Sequence, residues 1–253
     1  MGPVLGSQTK FIDLFCGVGG FRIAAQWLDW ECVFSCDIDK EAWRSYLANF
    51  GDEPAGDIRC IDAQDIPDHD VLFAGFPCQP FSIIGPMHGT SDERGDLFHE
   101  ILRILREKTP TWFVLENVKQ LISSNRGVTL DTILESVRRL GYQVEWRVLN
   151  ALEFGLPQKR ERIFIVGNNR GIKIRWPAGS YPMKPLANIL EPDPPIRYFV
   201  SERIEKNAMR ATRARLRRQS GMKIKLAISV PIHFLLSIFV CFASRCFAQL
   251  PVS

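Results

Sequence analysis

Short apolar runs alternate with stretches of helical spacing over the first two-thirds of the chain. The compact runs are typical of buried strands, and they lie at residues 11–15, 31–35, 71–74, 112–115, 143–149 and 162–166. Between them the hydrophobic spacing predicts helices, at residues 21–28, 40–49, 94–108 and 128–140. This alternation predicts a doubly wound α/β domain, with a mostly parallel sheet covered by helices on both faces.

The pattern changes after residue 169. Six prolines between residues 169 and 197 predict a loop-rich connector. Residues 201–225 are basic and are predicted to be partly helical, whereas residues 226–243 are uncharged and mostly apolar. The chain therefore divides into segments 1–197, 198–225 and 226–253.

Composition and charge refine this picture. The 253 residues are 46% hydrophobic and 24% charged, which is typical of a globular protein and excludes wholesale disorder. Residues 1–200 carry 22 basic and 26 acidic side chains, whereas residues 201–225 carry 9 basic and 2 acidic ones. Binding to a polyanion would therefore depend on local basic patches such as residues 159–162 and 210–218.

The cysteines and the N-terminus indicate a reducing, cytoplasmic location. Seven cysteines make an odd number, and no pair has the CxxC spacing of a zinc or redox site. The first ten residues lack the basic-then-apolar order of a signal peptide. No histidine cluster suggests a metal site.

A glycine-rich segment, DLFCGVGGF at residues 13–21, joins the first predicted strand to the first helix. Glycines allow a ligand to approach the backbone, and the helix N-terminus favours anionic groups. Asp37 ends the next strand, where a carboxylate accepts hydrogen bonds from ribose hydroxyls in nucleotide-binding folds. The alternatives are an ordinary strand–helix turn and, for Asp37, a helix N-cap.

A second motif, GFPCQPFS at residues 75–82, follows the third predicted strand. Ligands bind at this carboxyl edge of open α/β sheets. Cys78, between two prolines, is expected to be rigid and partly exposed, which suits a nucleophile. The other six cysteines are expected to be small buried apolar residues.

Two further motifs follow in the second half of the sheet. In LENV, residues 115–118, Glu116 emerges at the same edge as Cys78, and a raised pKa would let it act as an acid. A helix cap or a surface carboxylate is the alternative. In GLPQKRERI, residues 155–163, three cations suit phosphate or carbonyl contacts, although such a run is more often a solvated edge.

The order DLFCGVGGF, PCQPFS, ENV, QKRER resembles the cytosine-5 DNA methyltransferases, especially bacterial restriction-modification enzymes. The resemblance covers roughly residues 10–197, and Ser82 fits the DNA-acting branch. It implies a Rossmann-like catalytic domain over residues 1–197. The implied activity is methyl transfer from S-adenosylmethionine to carbon 5 of cytosine in DNA, without a metal.

The resemblance also implies roles for individual residues. The S-adenosylmethionine site would comprise Phe15, Gly17, Gly19, Asp37, Ile38, Asp57 and Ile58. Catalysis would depend on the nucleophile Cys78, on Glu116 at cytosine N3 and the amino group, and on Arg160 and Arg162 near the cytosine carbonyl.

The last part of the chain departs from the family. Residues 198–225 resemble the start of a target-recognition region, but the rest of that region and the late segment that covers the cofactor have no counterpart. A truncated or frameshifted gene is the preferred interpretation, which makes residues 226–253 an out-of-frame tail. A membrane segment, weakened by Pro231 and His233, and a partly buried helix are the alternatives. The corresponding functional alternatives are an inactive remnant and a tethered cofactor- or DNA-binding module.

Overall fold

The structure is a computed structural model that describes residues 8–77, 97–179, 181–183 and 185. Within these ranges the sheet has six strands: β1 Lys10–Leu14, β2 Glu31–Cys36, β3 Val71–Gly75, β4 Trp112–Val118, β5 Gln143–Asn150 and β6 Glu161–Asn168. The α-helices are α1 Gly20–Gln26, α2 Lys40–Phe50, α3 Leu97–Lys108 and α4 Val128–Arg139. The described residues through Met183 belong to one compact unit, and Pro185 belongs to a second.

The sheet has the strand order β2-β1-β3-β4-β6-β5. Strands β2, β1, β3 and β4 are parallel, whereas β6 is antiparallel to β4, and β5 is antiparallel to β6. The carboxyl ends of β1, β3 and β4 therefore meet at one edge. The predicted, mostly parallel α/β sheet is confirmed.

Helices cover both faces of the sheet, as predicted. On one face, Phe21 and Ala24 of α1 pack against Phe73 of β3, and the Phe21 and Phe73 rings stack with centroids 4.8 Å apart. On the other face, fully buried side chains of α3 and α4, such as Ile101 and Ile133, join the larger hydrophobic cluster. Burial on both faces explains why the central strands are continuous apolar runs.

Strands β4 and β6 are each three residues longer than their apolar runs predict. Antiparallel pairing with β6 extends β4 through Glu116 to Val118, opposite Phe164 and Arg162. Backbone hydrogen bonding between the strands, rather than hydrophobicity, sets these ends. The extension places Glu116 inside a strand instead of on a loop after it.

The cysteines follow the expected burial only in part. Cys16 and Cys36 are buried and Cys32 is partly buried, but Cys60 is exposed. The expectation is wrong for Cys60, because it ends a short surface 3-10 turn, Ile58–Cys60. Cys78, Cys241 and Cys246 lie outside the described residues.

Among the described residues, no helix has the length and apolar character needed to span a bilayer. The segment 226–253, for which a membrane interpretation was one alternative, lies outside those residues.

Candidate active site

The glycine-rich turn at the end of β1 depends on left-handed backbone conformations. Phe15, Gly17 and Gly19 have φ values of +56°, +54° and +90°. A side chain at Gly19 would also collide with the ring of Phe50. Glycine is therefore required at Gly19 for two independent reasons, backbone conformation and space.

Asp37 follows β2 and binds the glycine-rich turn directly. Its Oδ2 accepts a hydrogen bond from the Gly17 amide at 2.7 Å, and its Oδ1 accepts one from the Asp39 amide at 2.8 Å. The N-cap of α2 is Asp39, whose Oδ1 accepts from the Glu41 amide, so the N-cap alternative for Asp37 is wrong. Each Asp37 oxygen retains capacity for a further donor such as a ribose hydroxyl.

A cleft of about 430 Å³ opens beside this turn. Of the predicted cofactor residues, five line it: Phe15, Asp37, Ile38, Asp57 and Ile58. Gly17 and Gly19 are not among its lining residues; Gly17 acts through its bond to Asp37. The remaining lining residues are Gly56, Gly75 and Pro77, which stand in or beside the predicted motifs, and Cys36, Arg59 and Leu97, for which the sequence predicts no role.

The Asp57 side of the cleft is held by two arginines that the sequence did not single out. The Arg59 guanidinium binds the Asp57 carboxylate, with Nη2 2.5 Å from Oδ2, and this hydrogen bonding lowers the pKa of Asp57. Arg103 donates to the carbonyl oxygens of Ile58 and Ile61 at 3.1 and 2.9 Å. Only the tertiary structure brings α3 to this turn.

A largely buried ion pair joins β4 and β6 at the carboxyl end of β4. Arg162 Nε lies 2.9 Å from Glu116 Oε1, and the two side chains are 22% and 12% exposed. Burial raises the pKa of Glu116 above its usual value, while the charges of Arg162 and Arg160 oppose that effect. Glu116 is thus neither a helix cap nor a surface carboxylate.

The end of β3 lies beside this pair. Gly75 and Glu116 are register partners, and a carbon added at Gly75 would lie 3.6 Å from Glu116 Oε2. Buried Asn117 donates from Nδ2 to the Phe76 carbonyl at 3.0 Å, which fixes the chain as it leaves β3. The sequence predicts no role for Asn117, although this residue stands within the LENV motif. Cys78, two positions beyond Phe76, lies outside the described residues.

The cationic segment before β6 divides into two environments. Arg160 and Arg162 are partly buried, and burial together with the Arg162 charge lowers the pKa of Arg160. Lys159 is exposed. The solvated-edge alternative therefore holds for Lys159 but is wrong for the two arginines.

No group of three or more His, Cys, Asp or Glu side chains in the described part of the chain is arranged to hold a metal ion.

Solved methyltransferases share this architecture. The S. pombe Dnmt2 methyltransferase matches with a TM-score of 0.64 and 23% identity, over 80% of this chain and 67% of that one. The Entamoeba histolytica methyltransferase EhMeth matches with a TM-score of 0.63 and 18% identity, over 79% of this chain and 65% of that one. At these identities the likeness establishes the fold: the domain has the methyltransferase architecture.

The sequence comparisons identify the family within that class. The model of the C-5 cytosine-specific DNA methylases matches residues 9–227, and the chain belongs to this family. The type II methyltransferase M.NgoBI of Neisseria gonorrhoeae is 48% identical over 204 residues, and M.HaeII of Haemophilus aegyptius is 47% identical over 204. Each match covers 80% of this chain and 64% of the relative's length. The family resemblance inferred from the motifs is confirmed.

Proposed function

We propose that this chain transfers a methyl group from S-adenosylmethionine to carbon 5 of cytosine in DNA. The observation that carries the proposal is the partly desolvated Glu116–Arg162 pair beside Gly75, at the strand end that leads to Cys78. An acid at this place, next to the cleft, suits a reaction in which a ring nitrogen must gain a proton. Family membership and the type II methyltransferase relatives support it.

The residues around the cleft fit S-adenosylmethionine. Phe15, Ile38 and Ile58 offer apolar surface for a purine ring, and Asp37 offers acceptors for a ribose. The volume of about 430 Å³ is within the range of small-molecule sites. When bound, this molecule supplies an electrophilic methyl group on a sulfonium centre.

The protein's part begins with the nucleophile. Carbon 5 of cytosine is a poor nucleophile until the ring is converted to an enamine. Addition of the Cys78 thiolate to carbon 6 forms that enamine, while Glu116 donates a proton to N3. Carbon 5 then takes the methyl group, and the bond from that methyl group to the sulfonium sulfur breaks, which releases S-adenosylhomocysteine. A base removes the carbon 5 proton, the carbon 6–sulfur bond breaks to return the thiolate, and N3 gives its proton back to the Glu116 carboxylate.

Glu116 and the arginines divide the remaining tasks. Glu116 binds N3 and the amino group, and Arg162 fixes the orientation of its carboxyl group through the 2.9 Å ion pair. Arg160 adds positive charge near the cytosine carbonyl. The target base must leave the duplex for these groups to reach it. We place the catalytic domain in residues 1–197, which contain every proposed site residue and end with the proline-rich connector.

The proposal is tested by methyl transfer from labelled S-adenosylmethionine to mixed-sequence DNA. We expect incorporation with the unchanged chain, none with Cys78→Ser, and full incorporation with Cys60→Ser, a matched change at an exposed thiol. DNA carrying 5-fluorocytosine should yield a covalent protein–DNA adduct, because fluorine cannot leave as the proton does. Bound cofactor without transfer or adduct would refute the activity and favour a chain that keeps the cleft alone.

A further inference from the structure

The carboxylate of Asp57 is fixed in one orientation by Arg59, two positions further along the chain. Asp57 Oδ1 accepts from the Arg59 amide at 3.0 Å and from Arg59 Nε at 2.9 Å. Oδ2 accepts from the same Nε at 2.9 Å and from Nη2 at 2.5 Å. Both oxygens are thus held by one residue. Because a carboxylate has about four acceptor positions, Asp57 retains capacity for one further donor.

The backbone that carries this carboxylate is also fixed, from the side of α3. Asp57 is the N-cap of the short 3-10 turn Ile58–Cys60. Arg103 Nη2 donates to the Ile58 carbonyl at 3.1 Å and is itself bound by Glu100 Oε2 at 2.6 Å. Since both the turn and the side chain are held, the Asp57 oxygens occupy a defined place at the cleft.

Folding stability does not account for the Arg59–Asp57 pair. The two side chains are 40% and 24% exposed, and an ion pair in contact with solvent contributes little to the free energy of unfolding. Both residues line the cleft, together with Ile58 between them. The pair therefore faces the ligand, where the orientation of an acceptor decides which donor of the ligand it can bind.

The lining residues indicate which part of the ligand meets Asp57. Ile58 offers apolar surface to a purine ring, and the neighbouring Asp57 offers acceptors, whereas the ribose has acceptors on Asp37. An ionised carboxylate can only accept hydrogen bonds. The amino group at position 6 of adenine is a donor. The oxo group at position 6 of hypoxanthine is an acceptor, which a carboxylate repels.

We propose that Arg59 is a positioning residue that makes the cleft select a 6-amino purine, because it aims the Asp57 carboxylate at the amino group. The inference rests on the proposed function, since it takes the adenosyl group of S-adenosylmethionine as the ligand. A hydrogen bond to a charged acceptor of fixed geometry discriminates by about ten- to hundredfold. A carboxylate that rotates freely and is solvated by water discriminates less, because its orientation must be fixed when the ligand binds.

The test is isothermal titration of the full chain with S-adenosylhomocysteine and with S-inosylhomocysteine, which differ only in the purine base. The readout is the ratio of the two Kd values. We expect the unchanged protein to prefer S-adenosylhomocysteine by about ten- to hundredfold. Arg59→Gln should lower this preference about five- to tenfold. Arg59→Lys should lower it to a similar extent, because an ammonium group keeps the charge but lacks the planar fork.

Arg44→Gln is the matched control. Arg44 pairs with Glu41 at 3.0 Å on the exposed surface of α2, and neither residue lines the cleft. This variant also loses an arginine from an acidic partner, so it should keep the ratio of the unchanged protein.

The ratio separates positioning from other roles of Arg59. If Arg59 only stabilised the turn, or bound a part common to both molecules, Arg59→Gln would weaken both equally. An unchanged ratio in Arg59→Gln would therefore overturn the inference, as would full preference in Arg59→Lys. If Arg59→Gln does not fold, Arg59→Lys decides by the same ratio. Failure of both molecules to bind the unchanged protein would overturn the proposed function, and the inference with it. Binding of both without preference would overturn the inference alone.

Discussion

Replacing Glu116 by Gln tests the central element of the proposed site. Gln has the shape of Glu but cannot donate a carboxyl proton, and it carries no charge opposite Arg162. The ion pair at 2.9 Å is therefore reduced to a hydrogen bond from the charged guanidinium to a neutral amide oxygen. The cleft is not lined by Glu116, so binding of S-adenosylmethionine should be unchanged.

The expected loss of rate is large compared with the expected change in stability. A positioned acid contributes about 10²–10⁴-fold, which corresponds to about 3–5 kcal/mol of activation free energy. The change in the free energy of unfolding is smaller. Loss of the charged hydrogen bond to Arg162 is offset by removal of a carboxylate whose ionised form burial already disfavours. We expect the free energy of unfolding to change by less than about 2 kcal/mol.

The assay is single-turnover methyl transfer as a function of pH, with labelled S-adenosylmethionine. Because burial raises the pKa of Glu116, its acid form persists at pH values where an exposed Glu is already ionised. The rate that depends on this acid should fall as the pH rises through the pKa of Glu116. Glu116→Gln should lack this descending limb.

Glu161→Gln is the matched control, because Glu161 precedes Arg162 on the same strand but pairs with Lys119 at 2.8 Å. It should retain the rate and the pH profile of the unchanged chain. A Glu116→Gln protein that binds cofactor and keeps both the full rate and the original pH profile would refute the role given to Glu116.

Three further predictions concern stability and DNA binding. Asp13→Asn should raise the free energy of unfolding by about 3–5 kcal/mol at pH 8, because the native pKa of Asp13, about 8, lies above its unfolded value. In denaturant titrations this gain in stability should grow from pH 4 to pH 8, and a gain independent of pH would contradict the prediction. Gly19→Ala should lower the free energy of unfolding by about 2–4 kcal/mol, because its methyl group would meet the ring of Phe50 and φ is positive there. Gly17→Ala, where the added methyl group has open space, should lower the free energy of unfolding by only about 1 kcal/mol. Equal thermal shifts of the two variants would argue against the steric reason. Deleting residues 201–253 removes the basic strip and should weaken DNA binding and reduce its salt dependence in mobility-shift assays, and an unchanged affinity would exclude the strip as a contact.

Periodicity and local chemistry were sufficient to predict the order of the elements. The apolar run 71–74 and the helical spacing before residue 108 correspond to β3 and α3. These features are local, because burial of a strand or helix face requires a repeat that is visible along the chain. The position of Asp37 and Glu116 at one sheet edge followed from the same logic, since parallel strands end together.

The partnerships within the site were decided by the tertiary structure alone. Glu116 and Arg162 are 46 positions apart and meet only because β6 pairs antiparallel with β4. The bond from Asn117 to Phe76 depends on neighbouring strands in the same way. Asp13 carried no special signal beyond its place in the glycine motif. Among the described residues no donor meets its carboxyl oxygens, and its pKa is raised by burial beneath α1. Desolvation depends on everything packed around a group and not on its neighbours in the chain.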